Sequence, residues 1–580
     1  MRKFLRVILV FSFLLTIFSV VFADSAEQPE YLVEDTTGSY GGTLYLPLAI
    51  DPSTYNIVVS QQRTADEVIY RFSEGLLDFD KQGEIRGGAL AKSWEFTDGG
   101  KSIVFHIRKG LKWSDGYPFT GEDVYWCWKY IWTDETNAGD WYDKIVDQDR
   151  NPPKVELLDE YTVKITYSKP FAPGLRTIGS APVLPKHVLE EAVKNGKWLE
   201  TWSIADIGKL VGMGPFIPVE HIPDVKVVLK RNPYYYRVDK DGKQLPYLDQ
   251  LVYLICPDQN TMRLRFEAGE LDAFNPRPYD YPDIKAMARE KNWVVEIDGP
   301  NFGTEFVAFN WNCPDPVKRN WFRNEHFRKA VAHALDKVKI VETVFNGLGT
   351  PQYGPVSAAS PFYNPEVEKY SYPYSLTLAK QELKKAGFSW DENGKLIDSE
   401  GNQVKFILTT NVDNTIRVEV ANILVDSLKK LGMDVIFTPL DFNAVVQKVV
   451  TTGDWEAVVL GLLGDVDPHY RANVWMLDGG LRLWNFSPKR KKFVDPEDYH
   501  VEDWEKEVHD IYVKEVTEID PQKRKELFNK FQIIVAQHLP LVYTVQQVYI
   551  YAYKKEVHNL EPSPFGGLTW NVYKVWKDTK

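Results

Sequence analysis

Apolar and polar positions alternate in short runs along the first third of the chain, a pattern typical of strands. The odd positions of 103–107 carry Ile, Phe and Ile, and this period of two predicts a strand. Asp98-Gly99-Gly100 precedes the run and supplies a turn, because Gly tolerates positive φ and Asp bonds to its own backbone. Thr120 lies three residues before Asp123, a spacing that suits a capping box at a helix start. The segment therefore predicts a hairpin that leads into a helix.

From about residue 298 onward, runs with strand periodicity alternate with runs that keep one apolar helical face. Such alternation predicts βαβ units and a mostly parallel sheet. We expect one continuous helix from about Glu325 to Phe345 and one long strand from Leu541 to Tyr551. The other expected strands lie near 306–310, 404–408, 435–440 and 454–461, and the other expected helices near 377–386, 416–431, 501–518 and 521–540.

The N-terminus has the organisation of a secretory signal peptide. Arg2, Lys3 and Arg6 are basic, and 7–22 is almost wholly apolar. The apolar run is shorter than the ~20 residues that a spanning helix needs, so we expect cleavage after Ala23 rather than a membrane anchor. Because no Cys follows the run, an acylated lipoprotein is not indicated. The expected location is the periplasm.

Length and charge narrow the class of protein further. A chain of 580 residues exceeds the roughly 250–300 residues that one core supports, so two or three domains are expected. Cleavage after Ala23 removes three positive charges, which changes the formal net charge from −12 to −15. An acidic chain does not favour nucleic acid as a partner. The 18 Trp, 31 Tyr and 30 Phe mostly serve cores, yet they also suit a cleft that stacks on flat ligands.

Other chemistry has little support in the sequence. The cysteines Cys127, Cys256 and Cys313 could form at most one disulfide, and free buried thiols are expected for at least one of them. The ten His residues are scattered, and no P-loop, His-Glu-x-x-His or Gly-x-Ser-x-Gly motif is present. We therefore expect no metal, no cofactor and no catalytic residue.

Residues 90–124 carry the most specific pattern of the chain. The stretch contains Leu-Ala-Lys-Ser-Trp-Glu, then Asp-Gly-Gly-Lys, Arg-Lys-Gly, Trp-Ser-Asp-Gly and Glu-Asp-Val. It resembles the signature of the bacterial extracellular solute-binding proteins of family five, the oligopeptide- and dipeptide-type receptors of ABC importers. Weaker similarity extends from Gly41 to about Tyr551, although Met213 stands where the family has Thr in its Gly-Thr-Gly-Pro-Phe motif.

The resemblance implies an α/β fold like that of the class II periplasmic binding proteins, with two lobes joined by a hinge and an inserted extra domain. Lobe I would comprise 24–65, 205–297 and 540–580. The inserted domain II would comprise 66–204, and lobe III would comprise 298–539. The chain would cross between the lobes near 297 and 539.

A Gly-rich segment after the strand near 454–461 is the candidate ligand site. A turn just outside a strand's carboxyl end is where open α/β sheets place ligands. In the peptide-binding members, an Asp of the equivalent loop pairs with the ligand's α-amino group, and Asp465 matches that position. The alternative is that Asp465 caps a turn or helix. For Asp467, which precedes Pro468, capping is the expected role.

The continuation of this loop resembles a second branch of the family, whose members bind short β-linked oligosaccharides. Trp475 and Trp484 are candidates for stacking on a sugar ring, although either could instead brace the loop. Asn310 and Trp311 follow a predicted strand and could contact ligand, or form a turn.

The resemblance implies an exported receptor that captures a short oligomer, with an oligosaccharide slightly favoured over an oligopeptide. It would act as a monomer and deliver its ligand to an ABC permease and ATPase. The alternatives are a glycoside hydrolase-like exported enzyme, which would need two carboxylates roughly 5–9.5 Å apart, and a nickel or other small-solute receptor of the same family.

Overall fold

The computed structural model describes residues 29–60, 62–147 and 149–578. The predicted signal peptide at 1–23 lies outside these residues. Within the described ranges, no helix combines the length and the apolar character needed to cross a membrane.

The strands are short and distributed over the whole chain. In chain order they are β1 Leu32–Glu34, β2 Thr43–Leu48, β3 Leu77–Phe79, β4 Ile85–Gly88, β5 Ala91–Thr97, β6 Ser102–Ile107, β7 Lys154–Asp159, β8 Thr162–Thr166, β9 Phe216–Ile222, β10 Lys226–Arg231, β11 Arg237–Asp239, β12 Gln250–Ile255, β13 Ala273–Phe274, β14 Trp293–Pro300, β15 Thr304–Phe309, β16 Gly349–Pro351, β17 Ser389–Trp390, β18 Leu396–Ile397, β19 Lys405–Thr409, β20 Asp434–Phe437, β21 Ala457–Leu462, β22 Leu541–Tyr543, β23 Val545–Lys554, β24 Val557–His558 and β25 Trp576–Lys577.

The helices occur throughout the chain, and the longest of them lie in the second half. In chain order they are α1 Arg63–Phe72, α2 Gly121–Cys127, α3 Glu135–Ala138, α4 Tyr142–Ile145, α5 Gly174–Ser180, α6 Lys186–Lys194, α7 Gln259–Glu267, α8 Tyr281–Met287, α9 Pro316–Arg323, α10 Glu325–Ala334, α11 Lys337–Thr343, α12 Leu376–Lys385, α13 Thr415–Lys430, α14 Phe442–Val446, α15 Ala472–Trp475, α16 Asp503–Glu515 and α17 Pro521–His538.

We call residues 29–300 together with 545–578 the first half, and residues 304–543 the second half. The first half contains two separate four-stranded sheets. One has the order β2-β12-β10-β9 and the other the order β5-β6-β8-β7. The predicted hairpin and helix start are confirmed. Gly99 and Gly100 have φ of 66° and 86° between β5 and β6, and Thr120 forms a capping box with Asp123 at the start of α2.

The sheet of the second half is mixed rather than mostly parallel. Its order is β20-β19-β21-β15-β22. The pairs β19–β20 and β19–β21 are parallel, whereas β15 runs antiparallel to both β21 and β22. The prediction of a mostly parallel sheet was therefore wrong for the two strands by which the chain enters and leaves this half.

Two elements expected to be continuous are divided. The helix expected over 325–345 breaks at Leu335, whose backbone is extended, and Asp336 caps α11 by accepting a hydrogen bond from the Lys339 N–H at 2.9 Å. The strand expected over 541–551 is divided at Thr544 into β22 and β23. An apolar pattern cannot report such a break, since the buried face continues on both sides of it.

The division at Thr544 marks one of two places where the chain passes between the halves. β22 pairs with β15 of the second half, whereas β23 pairs with β14 of the first half from Val548 onward. Only the first residues of β23, 545–547, still pair with β16 of the second half. The other passage is 300–304, between β14 and β15. Polar contacts join the two passages, since the Gln546 side chain donates to Asn301 Oδ1 at 2.9 Å. Two adjacent segments of this kind form a natural hinge.

The buried apolar residues form two large clusters. One extends from β2 through the sheet of β5–β8 to the C-terminal segment, and the other fills the second half between β15 and β23. A smaller cluster lies under β14. The domain boundaries drawn from the sequence at 65, 204, 297 and 539 stay a prediction.

A buried cluster of charged side chains connects distant segments of the first half. The Arg237 guanidinium lies 2.6 Å from the Glu34 carboxylate and 3.0 Å from that of Asp78. Glu34 is only 3% exposed and also pairs with Arg86 and Lys574. Burial alone would raise the pKa of Glu34, but these cations lower it to about 2. The cluster therefore links the N-terminal strand, the β3–β4 hairpin and the C-terminal segment.

Arg237→Ala is expected to lower the free energy of unfolding by up to about 3–5 kcal/mol, because Glu34 and Asp78 lose the fully buried guanidinium that contacts both of them. Arg86, which pairs with both carboxylates, is partly exposed and compensates only in part. Urea unfolding measures the loss.

Arg150→Ala is the control, since its pairs with Asp143 and Glu135 are exposed and such pairs contribute about 1 kcal/mol or less. Equal losses in the two variants would contradict this assignment.

The same cluster predicts a pH dependence. Because the folded pKa of Glu34 is depressed from 4.5, its contribution is complete above about pH 4.5 and is lost as the pH falls toward 2. The stability difference between wild type and Glu34→Gln should therefore shrink by about 3 kcal/mol over this range. Urea midpoints measured at several pH values test this, and a constant difference would refute it.

Candidate functional site

The loop that follows β21 lies directly on the hinge. Gly464 packs against the backbone of Phe302, and a Cβ at this position would lie 1.5 Å from the Phe302 carbonyl oxygen. Only Gly permits so close an approach of two backbones. The position of the loop is therefore coupled to the passage at 300–304.

Buried ion pairs hold the loop after β21 against the second half. Asp467 caps the short helical turn that begins at Pro468, which confirms the capping role expected for it. Arg524 on α17 donates to both Asp467 oxygens at 2.6 and 2.9 Å and to Glu515 at 2.9 Å. Burial alone would raise the pKa of Asp467, but Arg524 holds it below its ordinary value. Asp467 is therefore fully used in positioning the loop.

Asp465, two residues earlier, is partnered very differently. Its Oδ1 accepts a hydrogen bond from the Val466 N–H at 2.7 Å, and the side chain is half-buried. Burial raises the pKa of Asp465, while the Val466 N–H and the guanidinium groups of Arg176 and Arg471 oppose that shift. Arg176 belongs to α5 in the first half, so Asp465 faces across the gap between the halves.

Aromatic side chains line the same gap. Tyr70, on α1, is 42% exposed, yet burial followed by Asp66 and Asp465 raises its pKa. This combination is expected for a side chain in a crevice, where the surface is accessible but poorly solvated. The hydroxyl of Tyr470 lies 3.0 Å from that of Thr177 on α5. The crevice thus has walls from both halves.

The halves also touch beside the crevice. Gly83, in the turn between β3 and β4, packs on Val466 and Phe565. A Cβ there would lie 2.5 Å from Val466 Cγ2 and 2.8 Å from the Phe565 ring. The Phe565 ring also meets that of Phe302, with centroids 6.2 Å apart. The contact between Gly83 and Val466 can form only when the halves are close together, whereas Phe565 belongs to the same half as Gly83.

The two candidate tryptophans lie in the interior of the second half. Trp484 is 1% exposed, and its indole N–H donates to Glu505 at 3.1 Å. Trp475 is also buried and packs on Trp484 and on Phe531, with centroids 5.3 and 5.0 Å away. These contacts are typical of residues that brace a loop. Ligand contact by either one stays a prediction.

Asn310 and Trp311 likewise make interior contacts. The Asn310 side chain donates to the carbonyls of Gly453 and Trp455 at 3.1 and 2.9 Å. The Trp311 ring lies under the Arg328 guanidinium, 4.3 Å from the ring centroid. Their predicted contact with ligand is not tested by this conformation.

A small cavity opens beneath the loop. Its water-accessible volume is about 30 Å³, and Asp465, Arg471, Trp475, Tyr512 and Tyr543 contribute to its wall. Of the sequence candidates, Asp465 and Trp475 therefore share this cavity, whereas Asn310, Trp311 and Trp484 lie outside its wall. A space of this size holds one or two water molecules or one small chemical group.

Sequence reasoning missed several residues of the crevice. Tyr70 carried a usable signal, because it is an aromatic residue off the buried face of α1. Tyr470 and Arg471 lie in the loop that had been singled out, but residue type alone did not distinguish them. Arg176 and Tyr543 carried no signal, since only the packing of distant segments brings them near Asp465.

Metal-binding side chains are not grouped in the part of the chain that the structure describes. No group of three or more His, Cys, Asp or Glu side chains there is arranged to hold a metal ion. The three cysteines are buried free thiols.

Comparison with known proteins gives a consistent family. A profile of the bacterial extracellular solute-binding proteins, family 5 (middle region), matches residues 87–480. The chain is 27% identical over 434 residues to the oligopeptide-binding protein AppA of Bacillus subtilis, covering 73% of each chain. It is 30% identical over 392 residues to a periplasmic alpha-galactoside-binding protein of Rhizobium meliloti, covering 61% of this chain and 54% of that one.

A solved structure agrees in fold. The periplasmic binding protein MelB of Agrobacterium fabrum, in complex with stachyose, superposes with a TM-score of 0.74 at 23% identity, over 95% of this chain and 88% of that one. The predicted α/β fold of a periplasmic binding protein is thereby confirmed.

Arg524→Ala is expected to lower the free energy of unfolding by about 3–5 kcal/mol, because it leaves Asp467 and Glu515 buried without their cation. Thermal and urea unfolding measure the loss. Lys530→Ala on the same helix is the control, since its pair with Glu507 is exposed and should contribute about 1 kcal/mol or less. A similar loss in both variants would contradict the structural role assigned to the Arg524 ion pairs.

Proposed function

This chain belongs to the bacterial extracellular solute-binding proteins of family 5, and on that premise we propose that it captures a short oligomeric solute between its two halves. It is a substrate-binding receptor of an ABC transporter, the role that its relatives share. We further propose that it is exported with cleavage after Ala23, acts as a monomer, and delivers its solute to a permease and ATPase complex.

The half-buried carboxylate of Asp465 carries this proposal. Both oxygens of its neighbour Asp467 accept from Arg524, whereas among the described residues Asp465 accepts a hydrogen bond from the Val466 N–H alone. A buried polar group that keeps spare bonding capacity is costly unless a partner arrives. Because Asp465 faces Tyr70 and Arg176 of the other half, a solute bound there would contact both halves at once.

Closure would then follow from differential binding. A solute that contacts both halves only when they are close stabilises the closed conformation by the difference in affinity between the two states. The passages at 300–304 and 543–545 would absorb the motion. The cavity beside Asp465 is far smaller than the roughly 300 Å³ of a typical ligand pocket, so the halves must separate to admit an oligomer.

An oligosaccharide is favoured over an oligopeptide as the solute. The charge of Asp465 is already opposed by Arg176 and Arg471, which weakens its attraction for the ammonium group of a peptide. A sugar hydroxyl can donate to the carboxylate without adding charge. Relatives whose names state an alpha-galactoside or an oligopeptide ligand are both consistent with the receptor role.

Thermal-shift screening of the purified protein tests the function. We expect di- to pentasaccharides, either β-linked gluco-, xylo- and manno-oligomers or stachyose, to raise the melting temperature by mass action. The stabilisation should be about 2.7 kcal/mol at a hundredfold excess over Kd. Small-angle scattering should show a smaller radius of gyration with the bound solute. Binding of neither saccharides nor di- to pentapeptides, or turnover of a saccharide to product, would refute the proposal.

Gly83→Ala tests closure. The added Cβ meets Val466 only when the halves are close, whereas it meets Phe565 of its own half in either conformation. Because the clash with Val466 opposes closure, the variant should bind a saccharide at least about tenfold more weakly than wild type. The melting temperature without sugar measures the separate effect of the contact with Phe565. Gly99→Ala is the matched control, since Gly99 has a similar φ of 66° but no neighbour within 4 Å of the added atom. Its affinity should equal that of wild type. Equal affinities in all three proteins, measured by calorimetry, would exclude the closure contact.

A further inference from the structure

The cavity beneath the Asp465 loop contains hydrogen-bonding groups that the fold does not use. Arg471 Nε and Tyr543 Oη are both buried, and neither atom has a hydrogen-bond partner among the described residues. Both side chains line this one cavity. Tyr543 is only 2% exposed, so its hydroxyl is shielded from bulk solvent in this conformation.

Two such groups in one cavity are unusual. Leaving a buried donor without a partner costs about 1–3 kcal/mol, and native structures contain few examples. Arg471 is also without a carboxylate within 4.0 Å in the described part of the chain, in contrast to Arg524 nearby. Burial lowers the pKa of Arg471 and raises that of Tyr543 well above its ordinary value, so Tyr543 stays a phenol that can donate.

The wall of the cavity also holds an acceptor. Asp465 contributes to the wall of the cavity, and its carboxylate interacts electrostatically with Arg471 of the same wall and with Arg176 of the other half. The cavity therefore offers two donors, from Arg471 and Tyr543, and one acceptor. A hydroxyl group is complementary to this set, because its oxygen accepts two hydrogen bonds and its proton is donated.

We propose that Arg471, Tyr543 and Asp465 form a subsite that holds one terminal hydroxyl group of a neutral oligosaccharide. This assignment rests on the receptor function proposed above and deepens it by naming the group that is recognised. Arg471 Nε and Tyr543 Oη donate hydrogen bonds to the sugar oxygen, and the sugar O–H donates a hydrogen bond to the Asp465 carboxylate. The size of the cavity fits one such group, while the remaining rings occupy the gap between the halves.

Charged groups fit this subsite poorly. An ammonium group would pair with the Asp465 carboxylate, but it would be repelled by the Arg471 guanidinium. It also could not accept a hydrogen bond from either donor. A carboxylate would accept hydrogen bonds from both donors, but it would lie beside Asp465. Two carboxylates that share one site repel each other strongly. The subsite therefore distinguishes neutral sugars from amino sugars, uronic acids and peptide termini.

Titration calorimetry with wild type, Arg471→Gln and Tyr543→Phe tests the assignment. The probes are cellotriose, stachyose, the glucosamine trimer, a trigalacturonate and trialanine. We expect wild type to bind a neutral probe at least about tenfold more tightly than the amino sugar, the uronate and the peptide. Arg471→Gln should weaken that binding by about tenfold and Tyr543→Phe by about three- to tenfold.

Melting temperatures separate recognition from a purely structural role. Without sugar, Tyr543→Phe should melt at or above the wild-type temperature, because it removes a hydroxyl that lacks a partner. The neutral probe should raise the melting temperature of Tyr543→Phe by less than it raises that of wild type. Tyr253→Phe, which changes a buried tyrosine of the other half, should bind the probe as wild type does.

Several results would overturn the subsite. If Tyr543→Phe lowers the melting temperature without sugar and leaves affinity unchanged, the hydroxyl serves an internal water and not a ligand. If trialanine or the glucosamine trimer binds wild type more tightly than the neutral probes, the receptor function survives but the neutral-hydroxyl assignment fails. If no probe binds at all, the proposed receptor function fails with it.

Discussion

The double passage of the chain at 300–304 and 543–545 is the constraint on which the rest of this molecule depends. Two adjacent extended segments permit rotation of one half against the other while each half keeps its own core. The ligand loop is tied to this hinge, because Gly464 lies against the Phe302 carbonyl. Movement of the hinge therefore also displaces Asp465 relative to α1 and α5.

Charge is divided between positioning and recognition within a few residues of one loop. Arg524 donates a hydrogen bond to each oxygen of Asp467, so Asp467 serves to position the loop. Asp465 and Arg471 keep unused bonding capacity at the cavity. The ion pairs of Arg524 hold Asp467 in one geometry, and this fixes the position of the neighbouring groups at the cavity.

Local patterns predicted much of the secondary structure. The capping box at Thr120 and the glycine turn before β6 depend on residues close together in sequence, so both could be inferred before the fold was known. The break at Leu335 and the antiparallel placement of β15 could not. Both depend on the partner that a segment packs against, and the apolar pattern on either side of a break stays the same.

The sequence by itself determined the family, the α/β class and Asp465 as the candidate residue, because these depend on residue order within short segments. Only the tertiary structure decided which side chains surround Asp465. Arg176 and Tyr70 belong to the other half and meet Asp465 because the halves fold toward one another. Tyr543 meets it because β22 joins the sheet of the second half beside the loop. It also placed Trp484 in the interior beside Glu505. Burial is a property of the packed whole, so no motif in one segment specifies it.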